Sequence, residues 1–342
     1  MPYPATNYAQ STPNYQQIVP SEPPTVTVLI PAHNEGQYIA SCIHSVLSNS
    51  WPRERLQIIV IDHNSSDETA SIARKTGATV ISADSNSKIG GVRNLGISAA
   101  QGEFTAFVDA DCIVPKTWLA TAISLLTSDR TVGAVGGGPA LSPPSGTWVE
   151  HCIAPAQGRS GIVQVVTTLP ACSFISRTQL LRSLGSFNED VLSGEDDDIS
   201  NKIRKYGLKL LLASDCRVTH FGFPRTLSGV LRKEIWHGSN HLDVRSRFDI
   251  TLLLTFLFIF TAIGIVTAVL SAIIIIHIHL LHWLVALICA HLLSPMLYSL
   301  KKLKRSHWQL NLALPAIAVG YVYFLGHGIG VLTNAYRKLF SH

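Results

Sequence analysis

The chain has 342 residues, enough for one large α/β domain and a smaller appendage. Hydrophobic residues make up 47% and charged residues 14% of the sequence, and the mean hydropathy of +0.27 is high for a soluble protein. The net charge of +5 could indicate nucleic-acid binding. Several basic residues, however, flank the apolar segments near the C terminus, where the positive-inside rule and anionic lipid would place them. The composition therefore argues against a nucleic-acid partner and favours a membrane.

The N-terminal residues 1–24 are rich in Pro, Tyr, Asn, Gln and Ser, and their only charge is Glu22. This composition predicts a disordered tail. It contains no basic region followed by an apolar core, so we expect no cleavable signal peptide. Five of the six cysteines precede the apolar C-terminal third, and none forms a CxxC motif. An odd number of such cysteines indicates free thiols in a reducing compartment, which is the cytosol.

From residue 25 to about residue 223, short β-branched runs alternate with stretches of helical periodicity. Strands that alternate with helices predict an α/β domain whose mostly parallel sheet carries helices on both faces. Ligands of such sheets gather at the carboxyl ends of the strands. The predicted strands of the first half are Thr25–Ile30, Gln57–Asp62, Ala78–Ser82, Phe104–Asp109 and Val132–Gly136. Those of the second half are Val163–Thr168, Ser173–Ser176 and Leu208–Ala213, the last preceded by a helix over Asp196–Tyr206.

Residues 224–249 include an amphipathic stretch, Leu227–Val244, which predicts either an interfacial helix leading into the membrane or a helix packed on the soluble domain. Residues 250–336 are apolar enough for about three membrane-spanning segments, at 250–276, 282–300 and 308–332. The histidine-containing run Ile276–His282 marks a predicted turn between the first two. The basic cluster Lys301–Arg305 would then lie on the same side as the α/β domain. These features predict an integral protein of the cell or inner membrane with a cytosolic domain.

The strongest local signal is the apolar run Phe104–Val108 followed by Asp109 and Asp111. Two carboxylates separated by one residue at a strand end can point into one crevice. There they supply hard oxygen ligands to Mg²⁺ or Mn²⁺, whose remaining positions accept diphosphate oxygens. An ordinary turn or helix cap is the alternative interpretation of this motif alone.

Other polar residues follow the neighbouring predicted strands. After the first strand, Glu35 could bind a ribose hydroxyl, and at the end of the second, Asp62 could accept a hydrogen bond from a base N–H. The glycine-rich helix start around Arg93 suits close backbone approach and charge contact with a phosphate or base. His220 is a candidate third metal ligand, with a structural histidine as the alternative.

The run Glu195–Asp198 places four acidic residues at a helix N terminus. The helix macrodipole favours acidic residues there, so capping is one explanation. Four in succession exceed that need, and their mutual repulsion should raise some of their pKa values. A carboxylate with a raised pKa can act as the general base on an acceptor hydroxyl.

Five ordered motifs together resemble the family 2 glycosyltransferases of the GT-A fold over roughly Thr25 to His220. They are PAHNE, VIDHNSSDET, GGVRNLGISAAQGEF, FVDADC and GEDDDISNKIRKYG. The resemblance implies an inverting, metal-dependent transferase that uses a UDP- or GDP-linked sugar. It implies a donor nucleotide site of Pro31, Ala32, Glu35, Asp62, Arg93 and Asp109, and a metal site of Asp109, Asp111 and His220. Asp196 would be the base with Glu195 in support, and Asp198 and Trp236 would bind the acceptor.

Two departures from the family pattern limit what the resemblance implies for this chain. His63 stands where the family commonly has a second Asp. The QxxRW motif of processive synthases is missing, because Arg232–Trp236 keeps only its Trp. We therefore expect single-sugar transfer to a lipid-linked or glycolipid acceptor, in cell-surface polysaccharide or glycolipid assembly. The rival hypotheses are transfer to a polyprenyl phosphate, a non-catalytic nucleotide-binding subunit of a polysaccharide export complex and, remotely, a nucleotidyltransferase.

Overall fold

The computed structural model describes residues 22–192, 194–244, 250–274, 278–305 and 312–340. It divides the chain into two compact units, each considered by itself below. The sheet unit comprises Met1–Leu141 and Arg159–Gly222, and the helical unit comprises Ser142–Gly158 and Phe223–His342. Most of the predicted N-terminal tail, residues 1–21, lies outside the described residues.

The sheet unit contains an eight-stranded sheet of order β3-β2-β1-β4-β8-β6-β9-β7. Strands β3, β2, β1, β4, β6 and β9 run parallel to one another, and β8 and β7 run antiparallel to their neighbours. The predicted mostly parallel sheet is thus confirmed. The strands are β1 Val26–Ala32, β2 Leu56–Asp62, β3 Thr79–Ser82, β4 Phe104–Val108, β6 Val132–Gly136, β7 Val163–Val166, β8 Ser173–Arg177 and β9 Lys209–Ala213.

Helices cover both faces of this sheet, because alternate side chains of each strand point to opposite sides and both sets are apolar. One apolar cluster joins Ile39 and Trp118 to the strands, and a second, separate cluster joins Val92 and Ile199 to them. The helices of the sheet unit are α1 Ile39–Leu47, α2 Thr69–Lys75, α3 Ile89–Ala99, α4 Trp118–Ser128, α6 Thr178–Ser183 and α7 Glu195–Lys205.

A second, two-stranded sheet lies beyond the end of β4. Strand β5, Cys112–Ile113, pairs antiparallel with β10, Thr219–His220, so that His220 lies opposite Cys112. The N–H of Phe221 donates to the carbonyl of Asp111 at 2.9 Å. This pairing joins segments more than 100 residues apart, which no local pattern in the sequence predicts.

The helical unit contains a short helix, α5 Trp148–Ile153, and four longer ones. These are α8 Leu227–Val244, α9 Ile250–Ile274, α10 Ile278–Arg305 and α11 Ala313–Phe340. The segment Ser142–Gly158 was expected in the catalytic domain, but it packs in this unit: Val149 and Cys152 share an apolar cluster with Val230, Ala316 and Val319. Helix α5 begins with a capping box of Thr147 and Glu150.

Helix α8 packs along α11 through glycines. A Cβ at Gly238 would lie 2.2 Å from the carbonyl oxygen of His327, and one at Gly330 would lie 2.2 Å from that of Ile235. Only residues without a side chain allow two helix backbones to come this close. The amphipathic stretch is therefore a helix as predicted, but it packs on α11. Residues 245–249 of the predicted 224–249 segment lie outside the described residues.

The three C-terminal helices correspond to the three predicted apolar segments. One described helical stretch, Ala313–Arg337, is long and apolar enough to cross a membrane. About half of the residues in its apolar 18-residue stretch are buried. Of the predicted turn at Ile276–His282, residues 276 and 277 lie outside the described residues. Helix α10 begins at Ile278, so the rest of that run is helical.

Candidate active site

Three acidic side chains follow neighbouring parallel strands of the sheet unit. Asp62 ends β2 and lies in register with Ala32, the last residue of β1, and Asp109 follows β4. Glu35 comes three residues after β1. The carboxyl ends of β1, β2 and β4 lie side by side because these strands pair in parallel. This edge is where α/β sheets bind ligands. Pro31 and Ala32 are buried within β1 and form the backbone floor beside it.

A group suited to a metal ion lies next to this edge. One ligand atom each from Asp111, Cys112 and His220 lies within 4.8 Å of the other two. His220 Nε2 is 3.6 Å from Asp111 Oδ1, and His220 Nδ1 accepts a hydrogen bond of 3.1 Å from the N–H of Gly222. The Asp111 carboxylate suits Mn²⁺ or Mg²⁺, whereas the His220 imidazole suits a transition metal ion better than Mg²⁺. The predicted ligands Asp111 and His220 are thus together.

Cys112 is less suited to the ion than its two neighbours. It is fully buried, and burial together with the nearby carboxylates of Asp109 and Asp111 and the Cys172 thiol raises its pKa. Since metals bind the thiolate and hard cations prefer oxygen, the neutral thiol is a poor third ligand.

Gly222 leaves the space that the Asp111 carboxylate occupies. A Cβ at this position would lie 2.0 Å from Asp111 Oδ2 and 2.8 Å from His220 Cε1. A larger residue at 222 would therefore require the Asp111 carboxylate, the His220 ring or the backbone to shift.

Glu35 is an unusual carboxylic acid. Partial burial, followed by the charges of Asp111, Asp109 and Asp67, raises its pKa to about 7. Its backbone N–H donates to Thr69 Oγ1 at 2.8 Å, which fixes the turn after β1. A cation bound among these carboxylates would favour its ionised form.

Asp62 has an unpaired acceptor in a buried position. The residue is 8% exposed, and within the described part of the chain its Oδ1 has no hydrogen-bond donor. A buried carboxylate oxygen without a partner is costly, which is expected where a ligand supplies the missing N–H. The backbone carbonyl of the neighbouring His63 accepts a hydrogen bond from His33 Nδ1 at 2.7 Å. His63 Nε2 is likewise buried, with no partner among the described residues.

Arg93 lies inside the protein and faces two carboxylates. Its NH1 pairs with Glu195 Oε1, and its NH2 is 3.4 Å from Asp109 Oδ1. The side chain is only 5% exposed. In the structure the Arg93 guanidinium pairs with these protein carboxylates, and its predicted contact with a donor phosphate or base stays a prediction.

The first turn of α7 carries the acidic run. Burial, and then the charges of Glu195 and Asp197, raises the pKa of Asp196 to about 6, while the charge of Arg93 opposes this shift. Asp198 forms an ion pair with Lys202 at 2.9 Å, and Asp197 accepts a hydrogen bond from Thr168 Oγ1 at 2.7 Å. Asp196 is therefore the carboxylate of this turn best suited to take a proton near neutral pH.

Trp236 lies on α8 in the helical unit. Its side chain is 51% exposed, and its ring contacts that of His237 at a centroid distance of 4.9 Å. Its predicted role in acceptor binding, like that of Asp198, stays a prediction.

Comparison with known proteins agrees with this geometry. Residues 27–183 match the family model described as glycosyl transferase family 2. The matched segment is similar to the family 2 glycosyltransferase domain, and the protein is a glycosyltransferase. It is 27% identical over 229 residues to the glycosyltransferase AglE of Haloferax volcanii, covering 65% of this chain and 74% of that protein. It is 29% identical over 203 residues to the probable glycosyltransferase YdaM of Bacillus subtilis, covering 55% of this chain and 48% of that protein.

A solved structure shows the same fold over most of this glycosyltransferase. The mannosyltransferase PcManGT from Pyrobaculum calidifontis, in complex with GDP-Man and Mn²⁺, has a TM-score of 0.56 and 20% identity. The match covers 93% of this chain and 89% of that one. At 20% identity the likeness shows the GT-A-like fold alone. The matched residues extend into the helical region of this chain.

Sequence reasoning missed three features of the site. It found no ligand motif among the cysteines, yet Cys112 lies beside Asp111 and His220. It assigned Gly222 no role. It also missed the pairing of Arg93 with Glu195. The position of Cys112, directly after Asp111, could have drawn attention to it, but only the fold brings residues 93 and 195 together.

Proposed function

We propose that this glycosyltransferase moves one sugar from a UDP- or GDP-linked donor to a hydroxyl of a membrane-associated acceptor, with inversion at the anomeric carbon. The observation that carries the proposal is the set of acidic side chains at one edge of the sheet. They are Glu35, Asp62, Asp109 and Asp111, with His220 beside the last.

The donor would lie along the carboxyl ends of β1, β2 and β4. The buried, unpaired Oδ1 of Asp62 would accept a hydrogen bond from the base. Glu35 or Asp109 would accept from the ribose hydroxyls. The mannosyltransferase PcManGT, solved in complex with GDP-Man and Mn²⁺, shares this fold, which supports a nucleoside diphosphate sugar as the donor class.

Asp111 and His220 would hold a divalent ion, Mn²⁺ or Mg²⁺, with Asp109 near them. When bound, the ion acts as a Lewis acid that neutralises the diphosphate leaving group. Asp196 would take the proton of the acceptor hydroxyl as its oxygen bonds to C1 of the sugar. The bond from C1 to the diphosphate oxygen breaks, and the nucleoside diphosphate leaves.

The acceptor is proposed to be membrane-associated because the helical unit exposes many large apolar side chains. Examples are Phe260 at 80% on α9 and Leu314 at 79% on α11. Its buried residues include both apolar side chains, such as Phe258, and hydroxyls, such as Thr255 and Ser294. Helices with an apolar exposed surface and hydroxyls at their contacts suit a hydrocarbon surrounding. We therefore propose that α9, α10 and α11 lie in the membrane and that the sheet unit is cytosolic.

The proposal is tested with detergent-purified full-length protein, Mn²⁺ and a panel of UDP- and GDP-sugars. Release of nucleoside diphosphate is measured with and without a membrane lipid extract. We expect lipid-stimulated release from one donor, and its loss in Asp111→Ala. Release of pyrophosphate would show a nucleotidyltransferase instead.

Two further outcomes would contradict parts of the proposal. Nucleotide binding without turnover of any donor would favour a non-catalytic subunit. A product whose sugar is joined through a phosphate of the lipid would favour transfer to a polyprenyl phosphate, since such an acceptor is already ionised and needs no base.

A further inference from the structure

Arg93 is the most deeply buried charge of the site, and nothing in the proposed reaction uses it directly. It lies on α3 beside the segment that follows α6. A Cβ at Gly90 would lie 2.2 Å from the carbonyl oxygen of Asn188, so glycine allows α3 to approach this segment closely. Asn94 accepts from the N–H of Phe187 at 2.9 Å and donates to its carbonyl at 3.0 Å. The Arg93 guanidinium carbon lies 5.6 Å from the centroid of the Phe187 ring.

These contacts fix the guanidinium between two parts of the site. Glu195, its partner through NH1, is the first residue of α7 and is 8% exposed. Asp109, its partner through NH2, follows β4. A planar guanidinium holds carboxylates in a defined geometry, and a buried carboxylate such as Glu195 needs a compensating cation.

We propose that Arg93 is a positioning residue that acts through Glu195, fixing the first turn of α7 and with it the carboxylate of Asp196. This role rests on the proposed function of Asp196 as the base. It differs from a phosphate contact, because the guanidinium is enclosed by protein and faces carboxylates of the chain itself.

The electrostatic consequence concerns the adjacent carboxylates Glu195 and Asp196. The charged groups that act on Asp196 are Glu195 and Asp197 from its own helix, which raise its pKa, and Arg93 from α3, which lowers it. Removing the cation alone leaves Glu195 and Asp196 adjacent and uncompensated. The pKa of Asp196 then rises further, because the opposing charge of Arg93 is lost. Removing the Glu195 charge as well restores the balance.

The first arm of the test is a double-mutant cycle on full-length protein in detergent, which needs no turnover. Thermal unfolding is measured between pH 5 and pH 8 for wild type, Arg93→Met, Glu195→Gln and the double variant. We expect Arg93→Met to lower the midpoint more at pH 8 than at pH 5, because Asp196, with a pKa of about 6, is mostly protonated at pH 5 and then adds little negative charge beside Glu195. The double variant should recover much of the loss. Additive effects of the two substitutions would overturn the pairing.

The second arm measures binding of UDP and of GDP with Mn²⁺ by calorimetry. We expect the double variant to bind the nucleotide that wild type prefers within about threefold of the wild-type affinity. A loss of more than tenfold in the double variant, with its unfolding midpoint recovered, would show that Arg93 contacts the donor and would overturn the proposal.

The third arm uses turnover, once a donor is known, and includes Arg93→Lys as the conservative variant. We expect Arg93→Met to lower kcat at least tenfold with little change in donor KM, and to move the acid limb of the pH–rate profile upward. Arg93→Lys should restore part of kcat, and the double variant should return the limb towards its wild-type position. A fall in kcat with an unmoved acid limb would indicate a merely structural residue. If neither the wild type nor any variant turns over a donor, the proposed function fails. The first two arms still decide the role of Arg93.

Discussion

The sheet unit and the helical unit differ in where they bury charge and in what they expose. In the sheet unit the few buried charges, such as Arg93, Glu195 and Asp62, gather at one edge of the sheet, while most of the remaining buried residues are apolar or carry hydroxyls. In the helical unit many large apolar side chains are exposed on α9, α10 and α11. A sequence-wide hydropathy averages these two patterns and so conceals both. The difference teaches that buried charge marks a site in the first unit, whereas exposed apolar surface marks the surroundings of the second.

The largest effect is expected from Asp196→Asn, which removes the proposed base from the sheet unit. We expect transfer to fall about a thousandfold, because an amide cannot take the acceptor proton. Binding of nucleoside diphosphate with Mn²⁺ should be kept, as measured by calorimetry. Retained transfer would exclude Asp196 as the base. Asp190→Asn, an exposed substitution before the same helix, is the matched control.

The second prediction tests the exposed surface of the helical unit. Phe260→Asp places a charge on the outer face of α9, which costs about 3 kcal/mol if that face lies in hydrocarbon. We expect the thermal midpoint in lipid nanodiscs to fall by several degrees. Val165→Asp is the matched control in the sheet unit, where a side chain 58% exposed faces water. It should change stability by about 0.5 kcal/mol or less. Equal effects of the two substitutions would contradict the proposed lipid surrounding.

A smaller effect is expected from Gly222→Ala in the sheet unit. The added Cβ must push the Asp111 carboxylate away from His220. We expect the affinity for Mn²⁺, measured by electron paramagnetic resonance without nucleotide, to fall about tenfold, or about 1.4 kcal/mol. Gly91→Ala is the control, since its Cβ would lie 3.7 Å from the nearest atom, an ordinary contact. Unchanged Mn²⁺ binding in Gly222→Ala would remove Asp111 from the metal site.

The smallest effect concerns stability and pH. The pKa of Asp196 in the folded protein, about 6, is higher than the value of 3.8 for a free side chain. The folded state therefore binds more protons than the unfolded state between these values, so this group lowers stability as pH rises through that window. We expect Asp196→Asn to have a higher thermal midpoint than wild type at pH 8, with the difference disappearing towards pH 4. A lower midpoint at pH 8 would show that the ionised carboxylate is stabilised by its surroundings.

The strands and their order in the chain could be predicted because each is a local pattern. Apolar β-branched runs between polar turns predicted β1, β2, β4 and β6 to within about two residues of their observed ends. The DxD motif and the acidic helix start were equally local signals. The ordered motifs then predicted a resemblance to the family 2 glycosyltransferases, and that family's model matches residues 27–183.

Tertiary structure alone decided which distant residues meet. Antiparallel pairing of β5 with β10 brings His220 to Asp111, and close packing of α3 brings Arg93 to Glu195. It also assigned Ser142–Gly158 to the helical unit and packed α8 on α11. Local sequence patterns indicate which backbone conformation a segment prefers and which of its faces is buried, because both depend on neighbouring residues. Contacts across 100 residues depend on how whole elements pack, and one sequence carries no local mark of them.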